Sequence, residues 1–250
     1  MPERIPLERL LSKWRVASRA EAQRLVKAGL VRVAGRVVKD PRQWVEAGRE
    51  AVEVEGRRVE APSQDAAPVW LMLNKPRGVV STTKDPEGRP TVLDLVRAHA
   101  APGLAPVGRL DQASAGLLLL TTEAGLADRL LDPRGHVAKT YRVKVRGRVT
   151  AEGRASLEND TLEEDGLLLG PMQVTVEREG PKSTWLSVRL CEGKNRQIRR
   201  RLAALGHEVE VLVRTAFGPL ELGDLPAGQV RVLAEAELEA LRRAVAARER

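Results

Sequence analysis

One carboxylate in this chain lies in a loop that is well suited to chemistry. Residues 107–116 read VGRLDQASAG and place Asp111 and Arg109 between two glycines, directly before the four leucines of 117–120. This leucine run predicts a buried strand, so the loop must end against the protein interior. Asp111 is then either a structural residue, which caps backbone N–H groups or pairs with Arg109, or a catalytic carboxylate.

Three further segments place charged or aromatic residues beside apolar ones: NKPRG at 74–78, KTYRV at 139–143 and EGKNRQIRR at 192–200. Together with the Asp111 loop, which contains GRLD, they resemble the motifs of the pseudouridine synthases in the order of that family. The last motif is most similar to the ribosomal RNA synthases of type A, for the small ribosomal subunit, and type B, for the large one. Four motifs in one order are far more specific than any single one. The resemblance covers residues 69 to about 233.

This resemblance implies an isomerase that converts a uridine of ribosomal RNA to pseudouridine, and it favours 23S over 16S RNA as the substrate. The reaction breaks the bond between ribose C1′ and uracil N1, rotates the base and rejoins it through C5. It is redox-neutral and needs no group donor, so we expect no cofactor. The resemblance makes Asp111 the nucleophile. Whether Asp111 attacks the sugar or assists loss of a sugar proton stays open.

The resemblance implies catalytic roles for two more residues. Tyr141, the single tyrosine of the chain, would stack on the flipped uracil with its hydroxyl near the C5 proton. Strand alternation places it on one face with Lys139, Val143 and Val145. From the residues alone, Tyr141 is a core tyrosine with a satisfied hydroxyl, which is the commoner fate of such a residue. Arg199 would be the partner of Asp111, because a nearby guanidinium favours the ionised form of a carboxylate that loses water.

An arginine-rich helix is predicted from Asn195, a candidate N-cap, to about Leu205. Its basic stripe consists of Arg196, Arg199 and Arg200, and its apolar stripe of Ile198, Leu202 and Leu205. We expect Arg196 and Arg200 to contact RNA phosphates or solvent. Arg109 is expected to contact RNA or to fill the space of the extruded nucleotide, with an ion pair to Asp111 as the alternative.

The charge of the chain favours a polyanionic partner, because the net charge is +8 and the pI about 10.1. Residues 1–60 contain 14 Lys and Arg against nine Asp and Glu, and therefore hold +5 of that charge. Candidate RNA contacts in this part are Arg15, Arg19, Arg24 and Lys27. The alternative is a solvated helix face.

Residues 1–60 also have the pattern of a small domain. Leu7, Leu10 and Leu11 predict one helix, and a capping box of Ser18 and Glu21 begins a second helix that stops at Gly29. Valines on both sides of Ala34-Gly35 predict a hairpin. This order of elements resembles the S4 RNA-binding fold.

Residues 61–68, APSQDAAP, have the composition of a linker. We therefore expect an S4-like domain at 1–60 and a catalytic domain at 69–250. The second part contains strand patterns at 69–73, 117–120, 139–146, 172–177 and 185–190, and helix patterns at 91–94, 123–131, 195–205 and 234–248. The order is not a regular βαβ alternation, which predicts an α+β fold with a mixed, mainly antiparallel sheet.

Other function classes lack support in the sequence. His99, His136 and His207 are far apart and Cys191 has no second thiol, so we expect neither a metal site nor a disulfide. No apolar run reaches the roughly 18 residues of a membrane span, and the start of the chain has no signal core. A cytoplasmic monomer is expected. The rival functions are a noncatalytic S4-type RNA-binding or ribosome-assembly factor, and an RNA glycosylase, which needs a second carboxylate. The acidic run 163–165 has the pattern of solvated surface.

Overall fold

The structure is a computed structural model that describes residues 4–14, 16–17, 19–60 and 67–246. The chain divides into two compact units. Over their described residues, one unit consists of Met1–Val69 with His99–Ala105 and Thr121–Ala124, and the other of Trp70–Ala98, Pro106–Leu120 and Gly125–Arg250.

The first unit begins with helices and short strands. Up to residue 60 the elements are β1 (Arg4–Pro6), α1 (Leu7–Lys13), α2 (Arg19–Lys27), β2 (Val31–Val33), β3 (Arg36–Val38), β4 (Trp44–Glu46), β5 (Val52–Val54) and β6 (Arg57–Val59). Strand β1 pairs with β4, and the other strands form an antiparallel sheet in the order β3-β2-β5-β6.

The predicted succession of two helices and a hairpin is confirmed. Leu7, Leu10 and Leu11 are completely buried. Helix α2 ends at Lys27, two residues before Gly29, whose φ is +73°, and the N–H of Leu30 donates to the carbonyl of Leu25 at 3.0 Å. This is the glycine-dependent helix end that the sequence predicts. Ser18, the predicted cap of α2, lies outside the described residues.

From residue 70 the chain is richer in strands. The strands are β7 (Trp70–Lys75), β8 (Ala105–Pro106), β9 (Ala115–Thr121), β10 (Lys139–Arg146), β11 (Leu162–Glu164), β12 (Leu167–Leu169), β13 (Gln173–Glu179), β14 (Ser183–Leu190), β15 (Val209–Phe217), β16 (Leu220–Glu221) and β17 (Val230–Val232). The helices are α3 (Val92–Leu95), α4 (Ala124–Leu131), α5 (Ala151–Asn159), α6 (Gln197–Ala204) and α7 (Glu235–Ala246), with 3-10 turns at Arg97–His99 and Pro133–Gly135.

The main sheet has the order β13-β14-β10-β15-β9-β7-β17. Neighbouring strands run antiparallel at β13–β14, β14–β10, β10–β15 and β7–β17, whereas β9 and β15 run parallel. The predicted α+β class with a mixed, mainly antiparallel sheet is therefore confirmed. Strand β15, in the middle of the sheet, was not predicted, although its valines at 209, 211 and 213 alternate as in a strand.

Two hydrophobic clusters support this sheet. One joins Trp70 and Leu117 of the sheet to residues of α4 and α7, among them Leu126 and Leu241. The other joins residues of β10 and β14 to α5 and α6, and its members include Val143, Leu186, Leu157 and Leu202. The loop before β9 and the start of β10 are thus each anchored by a separate apolar core.

Gly116 is required where β9 meets β15. Its φ is +103°, and a Cβ on it would lie 2.3 Å from the backbone oxygen and 2.6 Å from the backbone nitrogen of Arg214. Gly116→Ala is therefore expected to lower the free energy of unfolding by about 2–5 kcal/mol through backbone strain and overpacking. Denaturant unfolding of the wild type and the variant measures this loss.

Gly125 provides the matched control for this substitution. It lies inside α4, and a Cβ there would meet nothing within 4 Å. Gly125→Ala is expected to raise the free energy of unfolding by about 0.5–1 kcal/mol, because alanine is the better helix former. Equal unfolding midpoints for the two variants would contradict the proposed role of Gly116.

Candidate active site

The loop that carries Asp111 is held by a buried lysine of the preceding strand. Lys75, at the end of β7, is completely buried. Its Nζ donates to the backbone carbonyls of Ser114 at 2.8 Å, Asp111 at 3.2 Å and Pro76 at 3.1 Å. Burial lowers the pKa of Lys75 to about 8, and the charge of Asp111 partly opposes this shift. Lys75 therefore fixes the turn from Asp111 to Ser114.

The other side of the same loop is fixed by the segment that follows Lys75. The N–H of Gly78 donates to the carbonyl of Gln112 at 2.8 Å, and Nε2 of Gln112 donates to the carbonyl of Gly78 at 3.1 Å. Ser81 Oγ donates to the carbonyl of Leu110 at 2.8 Å and accepts from its N–H at 3.1 Å. The motifs NKPRG and GRLD are thus one structural unit.

Asp111 is an exposed residue, although Lys75 holds its backbone carbonyl. The desolvation that we expected at a catalytic carboxylate is therefore absent from the RNA-free protein, because the loop leaves this side chain at the opening of a cleft. Water could be excluded from Asp111 only when another molecule covers it. The backbone contacts hold the residue in place independently of its charge.

The structure brings the three residues with implied catalytic roles together. Asp111, Tyr141 and Arg199 all line one cleft of about 420 Å³ in the second unit. The cleft is also lined by other cationic and polar side chains, namely Arg109, Ser114, Lys139, Glu192, Lys194, Asn195, Arg196, Gln197 and Arg214. Asp111 and Arg199, which are 88 positions apart in the chain, therefore contribute to a single concave surface.

Tyr141 is half-buried on β10, and the predicted alternation of this strand is confirmed. Its neighbours on the same face, Lys139, Val143 and Val145, are buried. The ring packs against the cluster that contains Val143, yet it also lines the cleft. Within the described residues, the hydroxyl of Tyr141 has no hydrogen-bond partner. The residue is thus supported by the core and presented to the cleft at the same time.

Arg199 lies on α6 and is fixed by backbone acceptors. Its Nη1 donates to the carbonyl of Val209 at 3.0 Å and its Nη2 to that of Ala113 at 3.3 Å. Burial lowers the pKa of Arg199, as does the charge of Arg196, while the Asp111 carboxylate opposes both effects. Among the residues the structure describes, Arg199 and Asp111 make no direct ion pair. Arg199 therefore acts on the Asp111 loop through Ala113 and through its field.

The start of α6 differs from the prediction. The N-cap is Arg196 with a left-handed φ of 52°, it makes no capping hydrogen bond through its side chain, and the helix begins at Gln197. Asn195 is therefore not the cap, and Arg196 is not part of a helical stripe with Arg199 and Arg200. The left-handed turn instead places Arg196 at the exposed wall of the cleft.

The remaining predicted RNA contacts of the second unit have different environments. Arg109 and Arg196 are exposed, line the cleft and form no ion pair with any described carboxylate. Arg200 instead pairs with Glu164 at 3.2 Å and Asp165 at 3.0 Å. The acidic run 163–165 belongs to the hairpin of β11 and β12, so it is partly neutralised rather than simply solvated.

The predicted contacts of the first unit are described only in part. Arg24 and Lys27 are exposed on α2; Arg24 pairs with Glu21, while Lys27 has no ion pair in the described part of the chain. Arg15 and the side chain of Arg19 lie outside the described residues.

Two buried cations in the cleft were missed by the sequence analysis as site residues. Lys139 is 8% and Arg214 3% exposed. Burial, together with the charge of Arg214, lowers the pKa of Lys139 to about 8. Lys139 belongs to the KTYRV motif and could have been singled out. Arg214 could have been found only by predicting β15, in which it is the single cation.

A second carboxylate, Glu192, also lines the cleft, but it is already engaged. It accepts hydrogen bonds from the N–H of Gly170 at 2.7 Å, from Lys194 at 2.8 Å and from Gln197. Burial alone would raise the pKa of Glu192, yet these hydrogen bonds outweigh it and hold the pKa below its usual value. Glu192 is therefore fixed as an ionised structural group, and Asp111 is the carboxylate that the cleft leaves exposed.

In the described ranges no group of three or more His, Cys, Asp or Glu side chains could hold a metal ion. No helix in these ranges is long and apolar enough to cross a membrane.

Comparison with known proteins gives consistent matches. Residues 69–204 match the family model of RNA pseudouridylate synthases, and residues 5–51 match that of the S4 domain. The chain is 39% identical over 246 residues to an uncharacterized RNA pseudouridine synthase of Mycobacterium tuberculosis (strain ATCC 25618 / H37Rv), covering 98% of this chain and 95% of that protein.

Two further relatives extend the comparison. Identity is 36% over 237 residues to the ribosomal large subunit pseudouridine synthase B of Bacillus subtilis (strain 168), with 94% of this chain and 95% of that protein covered. A crystal structure of a pseudouridylate synthase superimposes with a TM-score of 0.68 at 25% identity, covering 95% of this chain and 99% of that one.

Proposed function

This chain belongs to the RNA pseudouridylate synthase family, and on that premise we propose that it isomerises a uridine of ribosomal RNA, in 23S rather than 16S RNA. The B. subtilis relative is named for the large ribosomal subunit. The observation that carries the proposal is the meeting of Asp111, Tyr141 and Arg199 in one cleft.

The geometry supports separate roles for these three residues. Asp111 is exposed at the cleft while its backbone is fixed by Lys75, so its carboxylate is free to approach a ribose that enters from RNA. Tyr141 offers a ring with apolar support, on which a detached uracil can stack. Arg199 holds the Asp111 loop through the carbonyl of Ala113 and brings a positive charge to the same cleft.

The reaction proceeds without any net oxidation. The bond between C1′ and N1 breaks, and its electron pair stays with the uracil while Asp111 attacks C1′ or assists loss of a sugar proton. After rotation of the base, C5 bonds to C1′ as the bond from Asp111 to C1′ breaks or, in the other route, as the sugar proton is returned. The C5 proton is then lost to a base, and N1 takes up a proton. The target nucleotide must leave its stack to enter the cleft, as for other enzymes that act on a base.

We further propose that residues 1–60 are a separate RNA anchor, joined through 61–68 to a catalytic domain at 69–250. The S4 match at 5–51 and the apolar cluster confined to residues 5–59 support this division. Lys27 is an exposed cation on α2 that no described carboxylate neutralises, so it is available to a phosphate.

A fragment of residues 68–250 is expected to keep the chemistry and lose affinity. Each phosphate contact that is lost should make the slope of log affinity against log salt shallower by roughly 0.7–0.9. The single-turnover rate at saturating RNA should fall by a smaller factor than the affinity, since Asp111, Tyr141 and Arg199 remain. Single-turnover kinetics at several RNA and salt concentrations measure both quantities.

The full-length chain offers a matched pair for the same test. Lys27→Gln should reduce the salt slope, whereas Lys182→Gln, at an exposed lysine in the turn before β14, should leave it unchanged. If the fragment and Lys27→Gln both retain the affinity and slope of the wild type, the N-terminal unit is not an RNA anchor.

The choice between the two ribosomal RNAs is tested with separate 16S and 23S transcripts. Pseudouridine mapping after incubation with the protein should detect a new site in the 23S transcript. Modification of the 16S transcript alone would show that the substrate is 16S RNA. The proposed reaction would still hold.

A further inference from the structure

The cleft contains an unusual set of buried polar atoms. In the described part of the chain, the buried side-chain atoms without a hydrogen-bond partner are Ser114 Oγ, Gln197 Oε1, Arg199 Nε and Arg214 Nη2. All four residues line this one cleft. Because buried polar groups are almost always paired, four orphans around one cavity indicate that a polar ligand completes them.

Arg214 is the most deeply placed cation of this set. It is 3% exposed, its Nε donates to the carbonyl of Leu117 at 2.6 Å, and its guanidinium stands 5.4 Å from the centre of the Phe217 ring. No carboxylate within the described residues pairs with it. The Nε side of the guanidinium is therefore held by the protein, while Nη2 has no partner in the described part of the protein and belongs to a side chain that lines the cleft.

The surroundings of Arg214 favour an anion. Lys75 and Lys139 are buried nearby, and the charge of Arg214 contributes to lowering the pKa of each. Asp111 and Glu192 line the same cleft, but none of these three buried cations forms an ion pair with a described carboxylate. An anionic ligand would relieve this repulsion, and its stabilisation by Arg214 would be large because that side chain is almost completely shielded from water.

Resting on the function proposed above, we propose that Arg214 is a further catalytic residue, whose Nη2 donates to a carbonyl oxygen of the target uracil and stabilises the negative charge left on the base. When the C1′–N1 bond breaks, its electron pair remains on the uracil and spreads from N1 to the carbonyl oxygens. A fixed cationic donor makes a stronger hydrogen bond to this anion than to neutral uridine. It therefore stabilises the transition state more than the bound substrate.

The backbone holds the donor residue, Arg214, in place before charge develops on the base. Arg214 pairs with Gly116 in the parallel contact between β9 and β15, which approaches so closely that a Cβ on Gly116 would lie 2.3 Å from the Arg214 oxygen. Little reorganisation is then needed when the charge develops.

The test compares two leaving groups in the same RNA, uridine and 5-fluorouridine at the target. Fluorine withdraws electrons and makes the departing base less dependent on external stabilisation. Arg214→Lys should slow single-turnover loss of the N1-linked uridine by on the order of 10²-fold or more. The same variant should slow loss of the N1-linked 5-fluorouridine by a much smaller factor, with RNA affinity unchanged.

Arg201 supplies the matched control. It is 4% exposed, as deeply buried as Arg214, but its guanidinium donates to the carbonyls of Ser156, Leu157 and Asp160, and it does not line the cleft. Arg201→Lys should change both rates by the same factor, as a purely structural defect does. Equal factors for the two substrates in Arg214→Lys would overturn the proposal.

The wild-type protein gives a second test that does not depend on the folding of a variant. RNA with sulfur in place of uracil O2 or O4 weakens a hydrogen bond from Nη2 at the replaced position. One of the two substitutions should slow cleavage of the C1′–N1 bond, and unchanged or faster cleavage with both would overturn the proposal. Absence of pseudouridine from the unmodified RNA would instead refute the proposed function.

Discussion

Asp111→Asn is expected to lower pseudouridine formation on the order of 10³-fold or more, because the reaction loses its only exposed cleft carboxylate. Folding and RNA binding should survive. Lys75 binds the backbone carbonyl of Asp111 and not its side chain, so asparagine keeps the loop contacts. Single-turnover kinetics and trapping by RNA that contains 5-fluorouridine measure the loss, and the trapped complex should vanish with the activity.

Asp224→Asn is the matched control for this prediction. Asp224 is exposed in the loop after β16, outside the cleft, so the same chemical change there should leave the rate unchanged. Appreciable pseudouridine formation by Asp111→Asn would show that another group attacks or activates the ribose.

Two substitutions at Tyr141 distinguish the role of its ring from the role of its hydroxyl. Tyr141→Phe keeps the ring that packs on the core and should bind RNA almost normally, but stall at or before loss of the C5 proton. A missing general base costs about 10²–10⁴-fold in rate. Tyr141→Ala should in addition weaken capture of the flipped base, by about 1–3 kcal/mol. Single-turnover rates and binding of RNA that contains 5-fluorouridine distinguish the two losses.

A purely structural Tyr141 gives another pattern. Wild-type rates for both variants would show that Tyr141 has only a structural role. Part of its ring already packs against the cluster around Val143. A large loss of stability in Tyr141→Ala with normal chemistry in Tyr141→Phe would lead to the same conclusion.

Local sequence patterns predicted the parts of this fold that depend on short-range chemistry. Strand β10 has the predicted bounds, 139–146, because its alternation is continuous. The capping box at Thr91 and Asp94 forms as the helix pattern at 91–94 indicates. The end of α2 follows from Gly29, since glycine alone supplies the left-handed conformation without strain.

Long-range pairing explains most of what sequence reasoning missed. The parallel contact between β9 and β15 joins residues about 100 positions apart, and nothing local indicates that Arg214 lies beside Gly116. Lys75 is likewise distant in sequence from the loop that it fixes, since its acceptor Ser114 lies 39 positions further along the chain. Each of these lysine and arginine side chains resembles a surface cation until the partner strand is known.

The predicted N-cap at Asn195 was wrong for a different reason. Asparagine is a common N-cap, but here Arg196 adopts the left-handed conformation, and Gln197 binds Glu192 and Gly170 from the first turn. Tertiary hydrogen bonds thus outweighed local capping preference. The meeting of Asp111, Tyr141 and Arg199 was indicated by the motifs as a set, whereas their backbone supports required the structure.

Product analysis on one RNA distinguishes the proposed isomerisation from its rivals most directly. Ribosomal RNA labelled with tritium at C5 of uridine is incubated with the protein, and released tritium, pseudouridine and free uracil are counted together. We predict equal amounts of tritium and pseudouridine, no free uracil, and neither product with Asp111→Asn. Free uracil without pseudouridine would identify a glycosylase, and RNA binding without tritium release would identify a noncatalytic RNA-binding protein; either result would contradict the assignment.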